Sequence, residues 1–284
     1  MPAVEVVRTG ALTTVQDGGR RGHAALGVGG SGAADAASYA LANRLLANHE
    51  GAAALEVTMG GLVLRARGAV TAAVTGATCP VTVDGRGAAP DTVLHLADGA
   101  RLRLGTPTSG LRSYVAVRGG VDVPPVLDSR STDTLAGLGP PPPEPGTVLT
   151  VGPPPRAMPT ADWVPSRPLP AGELSLRIVP GPRDDWFRDD ALAVLLASAY
   201  EVTDRSDRIG ARLSGPPLAR RSGGELPSEG MVPGSLQVPP EGRPVLFLAD
   251  HPVTGGYPVI AVVTADDVAR AAQARPGTAV RFHR

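Results

Sequence analysis

Proline is distributed so unevenly along this chain that it limits the possible folds more than any other feature does. After Pro2 none occurs until Pro80, whereas Gly139 to Pro170 holds Pro140, Pro141, Pro142, Pro143, Pro145, Pro153, Pro154 and Pro155 among others. Proline removes a backbone donor and clashes with the preceding helical turn. With 30 prolines and 36 glycines in 284 residues, an all-helical bundle is disfavoured and a turn-rich β protein is expected. The 42% hydrophobic content is that of a folded chain. The Pro-rich stretch predicts an extended linker, giving an N-terminal half at 1–152, a linker at 153–171 and a C-terminal half at 172–284.

Both halves open on an alternating, strand-like run, Val4 to Arg8 and Leu174 to Val179. Further strands are predicted at Leu62 to Arg67, Val70 to Thr75, Ser113 to Arg118, Val245 to Leu248, Val259 to Val263 and Val280 to His283. Asp84-Gly85 and Asp98-Gly99 stand between apolar runs, where tight hairpins need residues tolerant of positive φ. Three segments carry helical spacing: Ala33 to Asn48, Asp190 to Tyr200 and Asp266 to Ala274. A weak internal echo relates Val15-Gln16-Asp17 leading through Arg20 to Val202-Thr203-Asp204 leading through Arg208, and Thr58-Met59-Gly60-Gly61 to Thr254-Gly255-Gly256. Few helices among many strands imply barrels or sandwiches.

The 27 cations balance 27 anions, and every cation is arginine. Without lysine the chain cannot build a Walker P-loop, form a Schiff base through its own side chain, or carry biotin or lipoate. Zero net charge removes the electrostatic footprint of a general nucleic-acid binder. The single Cys79 permits no intrachain disulfide and no cysteine zinc site, so a reducing compartment is expected, with Cys79 read as a small buried apolar residue. Met1 to Gly10 lacks signal-peptide features, and no apolar run approaches the ~18 residues of a membrane span. A cytoplasmic protein without membrane attachment is the expectation.

Several motifs carry possible chemistry. Gly27, Gly29 and Gly32 form a G-x-G-x-x-G ahead of the Ala33 helix, with Glu50 or Glu56 about 20 residues on, but no convincing buried strand precedes it. The commoner reading is a glycine turn capping a helix. Ser31 in Gly29-Gly30-Ser31-Gly32 resembles a nucleophile elbow, against the more frequent role of helix N-cap. The five histidines show no ligand spacing. Leu226 to Tyr257 is the richest polar segment and brings Glu229, Gln237, Asp250, Thr254, Gly255, Gly256 and Tyr257 into loops flanking short apolar strands. Asp207 and Arg208 add a carboxylate and a planar cation, with pairing of Arg208 to Asp204 or Asp207 as the structural alternative.

Taken in order, LTTVQDGGRRG, LGVGGSGAADAASYALANRLLAN, ALEVTMGG, VTGA, SYVAVRGGVDVPPVLDSRST, IVPGPRDDWF, SDRIGARLSGPPL and SEGMVPGSLQVPPEGRPVLFLAD followed by TGGYPVIAVV resemble the biotin-dependent carboxyltransferase family, many of whose members carry the label allophanate hydrolase subunit 2. The likeness runs from Val4 to Val263. It departs at His251-Pro252-Val253, where many relatives carry an Arg-Gln-Thr-like stretch. The resemblance implies a mainly β protein of two cyclophilin-like barrel halves with a few short helices. It also implies work with partner subunits A and B in an ATP- and Mg2+-dependent 5-oxoprolinase, a hydrolase of a small-molecule lactam. Carboxyl transfer from a partner's carboxybiotin and non-catalytic binding of a kinase inhibitor are the alternatives. In the oxoprolinase reading, Arg20, Arg208 and the loop of Gly29, Gly30, Ser31 and Gly32 would face phosphates. Asp17, Asp207, Glu229 and Asp250 would supply carboxylates for the metal ion.

Overall fold

The computed structural model describes residues 1–165, 169, 172–221 and 226–284. They form a mainly β protein in two compact units. The first comprises 1–20, 35–133 and 137–169; the second comprises 21–34, 134–136 and 170–284. Two short segments of the N-terminal half thus belong to the second unit.

In the first unit, strands whose alternate residues are apolar build two sheets over one core. A seven-stranded sheet runs in the order Val121–Asp122, Val148–Val151, Ala3–Thr9, Leu62–Arg67, Arg101–Leu104, Val81–Val83, Arg86–Ala88. A five-stranded sheet runs Leu12–Gln16, Ala54–Thr58, Ser109–Val117, Val70–Thr78, Val93–Leu96. Val6, Leu64 and Leu102 of the first sheet share a buried cluster with Val15, Val57 and Val115 of the second. Cys79 lies in that cluster, as an apolar residue would, and burial pushes its thiol pKa up. The first half is therefore two hydrogen-bonded sheets, whereas closure into a barrel is seen in the second half.

Asp84 and Gly85 adopt φ of 49° and 77° and join paired strands, as a tight hairpin requires. Asp98-Gly99 is different. The strands on either side of it lie in different sheets, so this turn is a crossover between layers. The expected helix at Ala33 to Asn48 is shorter, Ala36–Leu45. Asp35, not Ser31, caps it, with its carboxylate accepting from Ser38 N at 3.1 Å, and Ala47 at φ 53° ends the helical path. The Pro-rich stretch is held along the first unit. Arg118 donates to the carbonyls of Pro155 and Ala157 at 2.8 and 2.6 Å, and Trp163 bridges Thr92.

The second unit is a closed barrel in the order Leu174–Pro180, Val259–Val263, Ser235–Gln237, Val245–Phe247, Gly210–Ser214, Ala199–Val202, Ala279–His283. The helix expected through Tyr200 stops at Ala197 because Ala199–Val202 pairs with two barrel strands. The ladder it gains outweighs the helical propensity of a few residues. Among the described residues no helix is long and apolar enough to cross a membrane.

Candidate functional site

The second unit places Arg208 opposite Asp250. Asp207 accepts from Ile209 N and Gly210 N at 2.8 and 3.1 Å, a local turn leading into the strand Gly210–Ser214. Backbone bonds from Asp250 N to Arg208 O and from Leu248 N to Ile209 O extend the pairing with Val245–Phe247. Arg208 Nε and Nη2 then grip Asp250 Oδ2 and Oδ1 at 2.9 and 3.0 Å, a two-pronged ion pair with both residues only 1% exposed. The sequence alternatives for this partner, Asp204 and Asp207, are thus corrected to Asp250. A ladder between strands, which local spacing does not reveal, sets the match.

The pair is closed by the glycine loop and by Thr134. Arg208 Nη2 donates to Gly32 O at 2.6 Å, Ser31 Oγ donates to Asp250 Oδ1 at 2.7 Å, and Thr134 gives both N–H and hydroxyl to Oδ2 at 3.0 and 2.7 Å. Burial alone would push the Asp250 pKa up; the Arg208 charge, with hydrogen bonds from Arg208, Ser31 and Thr134, holds it below the usual value. Ser31 sits in the left-handed region at φ 49° and Gly32 at 96°, while Gly29 and Gly30 run in irregular chain. The strain expected of a nucleophile elbow is present, but the serine's partner is a carboxylate neutralised by arginine. The loop does not open a helix, which begins at Ala36.

A second polar group lies along the two-stranded ribbon of Glu229–Gly230 and Thr254–Gly255. Glu229 accepts from Arg183 Nε at 2.8 and 3.0 Å and from its Nη2. Gln237 is buried and donates to Tyr257 O at 3.2 Å. A Cβ on Gly255 would stand 2.4 Å from Gln237 Nε2, whereas one on Gly256 would meet its nearest atom at 3.5 Å. We expect Gly255→Ala to push the Gln237 amide off Tyr257 O and to cost about 1 kcal/mol, the worth of that bond. Gly256→Ala should stay within ~0.5 kcal/mol of wild type. Thermal unfolding of both variants checks this.

In the first unit Asp17 and Arg20 staple two loops. Asp17 accepts from Gly19 N, Ser129 Oγ, Arg130 N and Ser131 Oγ at 2.8, 2.7, 2.6 and 2.6 Å. Burial raises its pKa, but hydrogen bonds from Ser131, Ser129 and the Arg130 and Gly19 amides bring it below the usual value. Arg20, also 1% exposed, donates to Ser131 O and lies 3.8 Å from Asp133. Among the described residues Arg20 and Arg208 are the two largest fully buried side chains, so the echo in sequence falls on the two arginines that anchor their units. Sequence reasoning missed Ser129, Ser131, Thr134 and Arg183. It weighed Glu56 only as an acid following the glycine motif and missed the buried row of Thr14, Glu56, Tyr114 and Thr75, which sit opposite one another across four strands. A lone charge inside a β run, as at Glu56, was the available signal.

No group of three or more His, Cys, Asp or Glu suited to a metal occurs among the described residues. Asp17 is engaged by its four donors, Asp250 by Arg208, Glu229 by Arg183 and Asp207 by the amides of its own turn. These carboxylates do not fit a Mg2+ site.

Against known proteins, the model of the carboxyltransferase domain, subdomains A and B, matches residues 26–284. The chain belongs to that family. It is 36% identical over 282 residues to the C component of 5-oxoprolinase from Escherichia coli, covering 98% of this chain and 90% of that protein. It is 31% identical over 309 residues to urea amidolyase of Saccharomyces cerevisiae, covering 99% of this chain but 16% of that one. The crystal structure of TTHA0988 superposes with a TM-score of 0.91 at 37% identity, covering all of this chain, which spans 56% of that one.

Proposed function

We propose that this chain is the C component of an ATP-dependent 5-oxoprolinase, acting with subunits A and B to open 5-oxo-L-proline to L-glutamate. The observation that carries the reading is the match to a 5-oxoprolinase C component across 90% of that protein's length. The arginine-rich, lysine-free composition supports it, because guanidinium groups suit the recognition of a carboxylate substrate. The carboxylates described above are engaged by donors of this chain, so on this reading the chain contributes binding and positioning, and nucleotide activation falls to residues other than these carboxylates.

The test combines the purified chain with subunits A and B and measures glutamate release from 5-oxoproline. Release is expected only with ATP and only with all subunits present, and avidin should leave it unchanged. Turnover by this chain alone would overturn the division of labour. The second reading, carboxyl transfer, is supported by the family description and the urea amidolyase match. It requires a biotinyl-lysine on another polypeptide, since this chain has no lysine, and inhibition by avidin would favour it.

A further inference from the structure

Among the described residues of the second unit, Arg220 is the charged side chain with buried nitrogen atoms that make no hydrogen bond. Its Nε and Nη2 atoms are screened from water and have no hydrogen-bond partner among the described residues. The backbone around it is fixed: Arg188 N donates to Ala219 O at 3.0 Å, Arg221 N donates to Trp186 O at 2.9 Å, and Arg220 itself bridges the buried Phe187. Two carboxylates on neighbouring segments are already engaged, Asp189 with Arg221 and Glu229 with Arg183. The guanidinium carbon lies 5.7 Å from the centre of the Tyr257 ring, a cation held over an aromatic face. Tyr257 is 41% exposed, and its hydroxyl makes no hydrogen bond among the described residues.

The Nε and Nη2 hydrogens of a guanidinium point the same way and match the two oxygens of a carboxylate. A screened cation without a partner is costly, and chains retain such costs where a ligand supplies the missing group. We propose that this edge of Arg220 binds the carboxylate of a small organic acid, with Tyr257 moving aside to admit it and its ring packing against the acid. No bond is made or broken there. On the oxoprolinase reading, on which only the identity of the acid rests, the ligand is 5-oxoproline itself.

Calorimetric titration of the full chain tests this with four ligands: 5-oxo-L-proline, its primary amide, succinate and inorganic phosphate. The acid should bind at least tenfold more tightly than the amide, and Arg220→Met should erase that preference. Without added acid, Arg220→Met should melt at or above the wild-type temperature, because a stem of similar shape remains and an unpartnered charge is gone. A lower melting temperature with acid binding retained would make Arg220 structural and overturn the proposal. So would equal binding of acid and amide, tighter binding of phosphate than of either acid, or no binding of any acid at millimolar concentration. Succinate binding through Arg220 without 5-oxoproline binding would uphold the site and remove the oxoprolinase reading. Undiminished 5-oxoproline turnover by the assembled subunits carrying Arg220→Met would do the reverse.

Discussion

Arg208→Met is expected to destabilise the chain by about 3–5 kcal/mol, because it strands the Asp250 carboxylate in a buried site. In a protein of this size that is a fall in melting temperature on the order of 10 °C. Asp250→Leu should cost a similar amount by stranding the guanidinium. The double variant should recover much of the loss, since exchanging both members of a buried pair for apolar groups is often close to neutral. Ser31 and Thr134, which donate to Asp250, limit that recovery. Melting curves for the two single variants and the double one give the coupling directly. Simple additivity would show that the pair does not act as a unit and would return Arg208 to consideration as a ligand-binding group. Arg208→Lys keeps the charge and loses the fork, so its effect should fall between wild type and Arg208→Met.

The second large effect is expected at Asp17. Asp17→Asn sets an amide against four donors that the carboxylate accepted, at a cost of roughly 3 kcal/mol on the scale of hydrogen bonds to charged groups. It should also change the response to acid. The Asp17 pKa is lowered in the folded chain, so the fold holds that proton less readily than the unfolded chain does. The resulting stabilisation is complete above the ordinary carboxylate pKa of about 4 and is lost as pH falls through the lowered value. Asp250 is lowered too and acts in the same direction. Denaturant midpoints between pH 7 and pH 2 should therefore decline toward acid in the wild type and decline less in Asp17→Asn. Parallel curves for the two proteins would refute the assignment of Asp17 as a folded-state acceptor.

What the residues announced in advance was local. Val259–Val263 occupies the segment that its apolar run marks, and Asp84-Gly85 makes the hairpin that its residue types favour. Pairing was not announced. Nothing near Asp98-Gly99 distinguishes a hairpin from a crossover, because the distinction lies in which distant strands the neighbours join. The polar residues show the same division. Arg208, Asp250, Glu229 and Gln237 stand out in sequence as polar groups beside apolar strands, but their partners lie far away in the chain. Arg208 finds Asp250 across 42 residues and Glu229 finds Arg183 across 46. Thr134 carries no local mark at all, because its role depends on belonging to the second unit. Family likeness supplied the order of the motifs; the geometry separated residues that anchor loops, such as Asp17 and Arg20, from Arg220, whose guanidinium edge the described residues leave open.

Ser31 and Asp250 are 219 residues apart along the chain. Ribosomes add roughly 5–20 residues per second, so tens of seconds pass between the emergence of the glycine loop and that of its acceptor. Throughout that interval the carboxylate that will receive the Ser31 hydroxyl has not been made, whereas every strand of the two sheets of the first unit, the last of them Val148–Val151, is made well before it ends. Synthesis timing therefore makes the left-handed turn at Ser31 one of the last features of the polypeptide to lock.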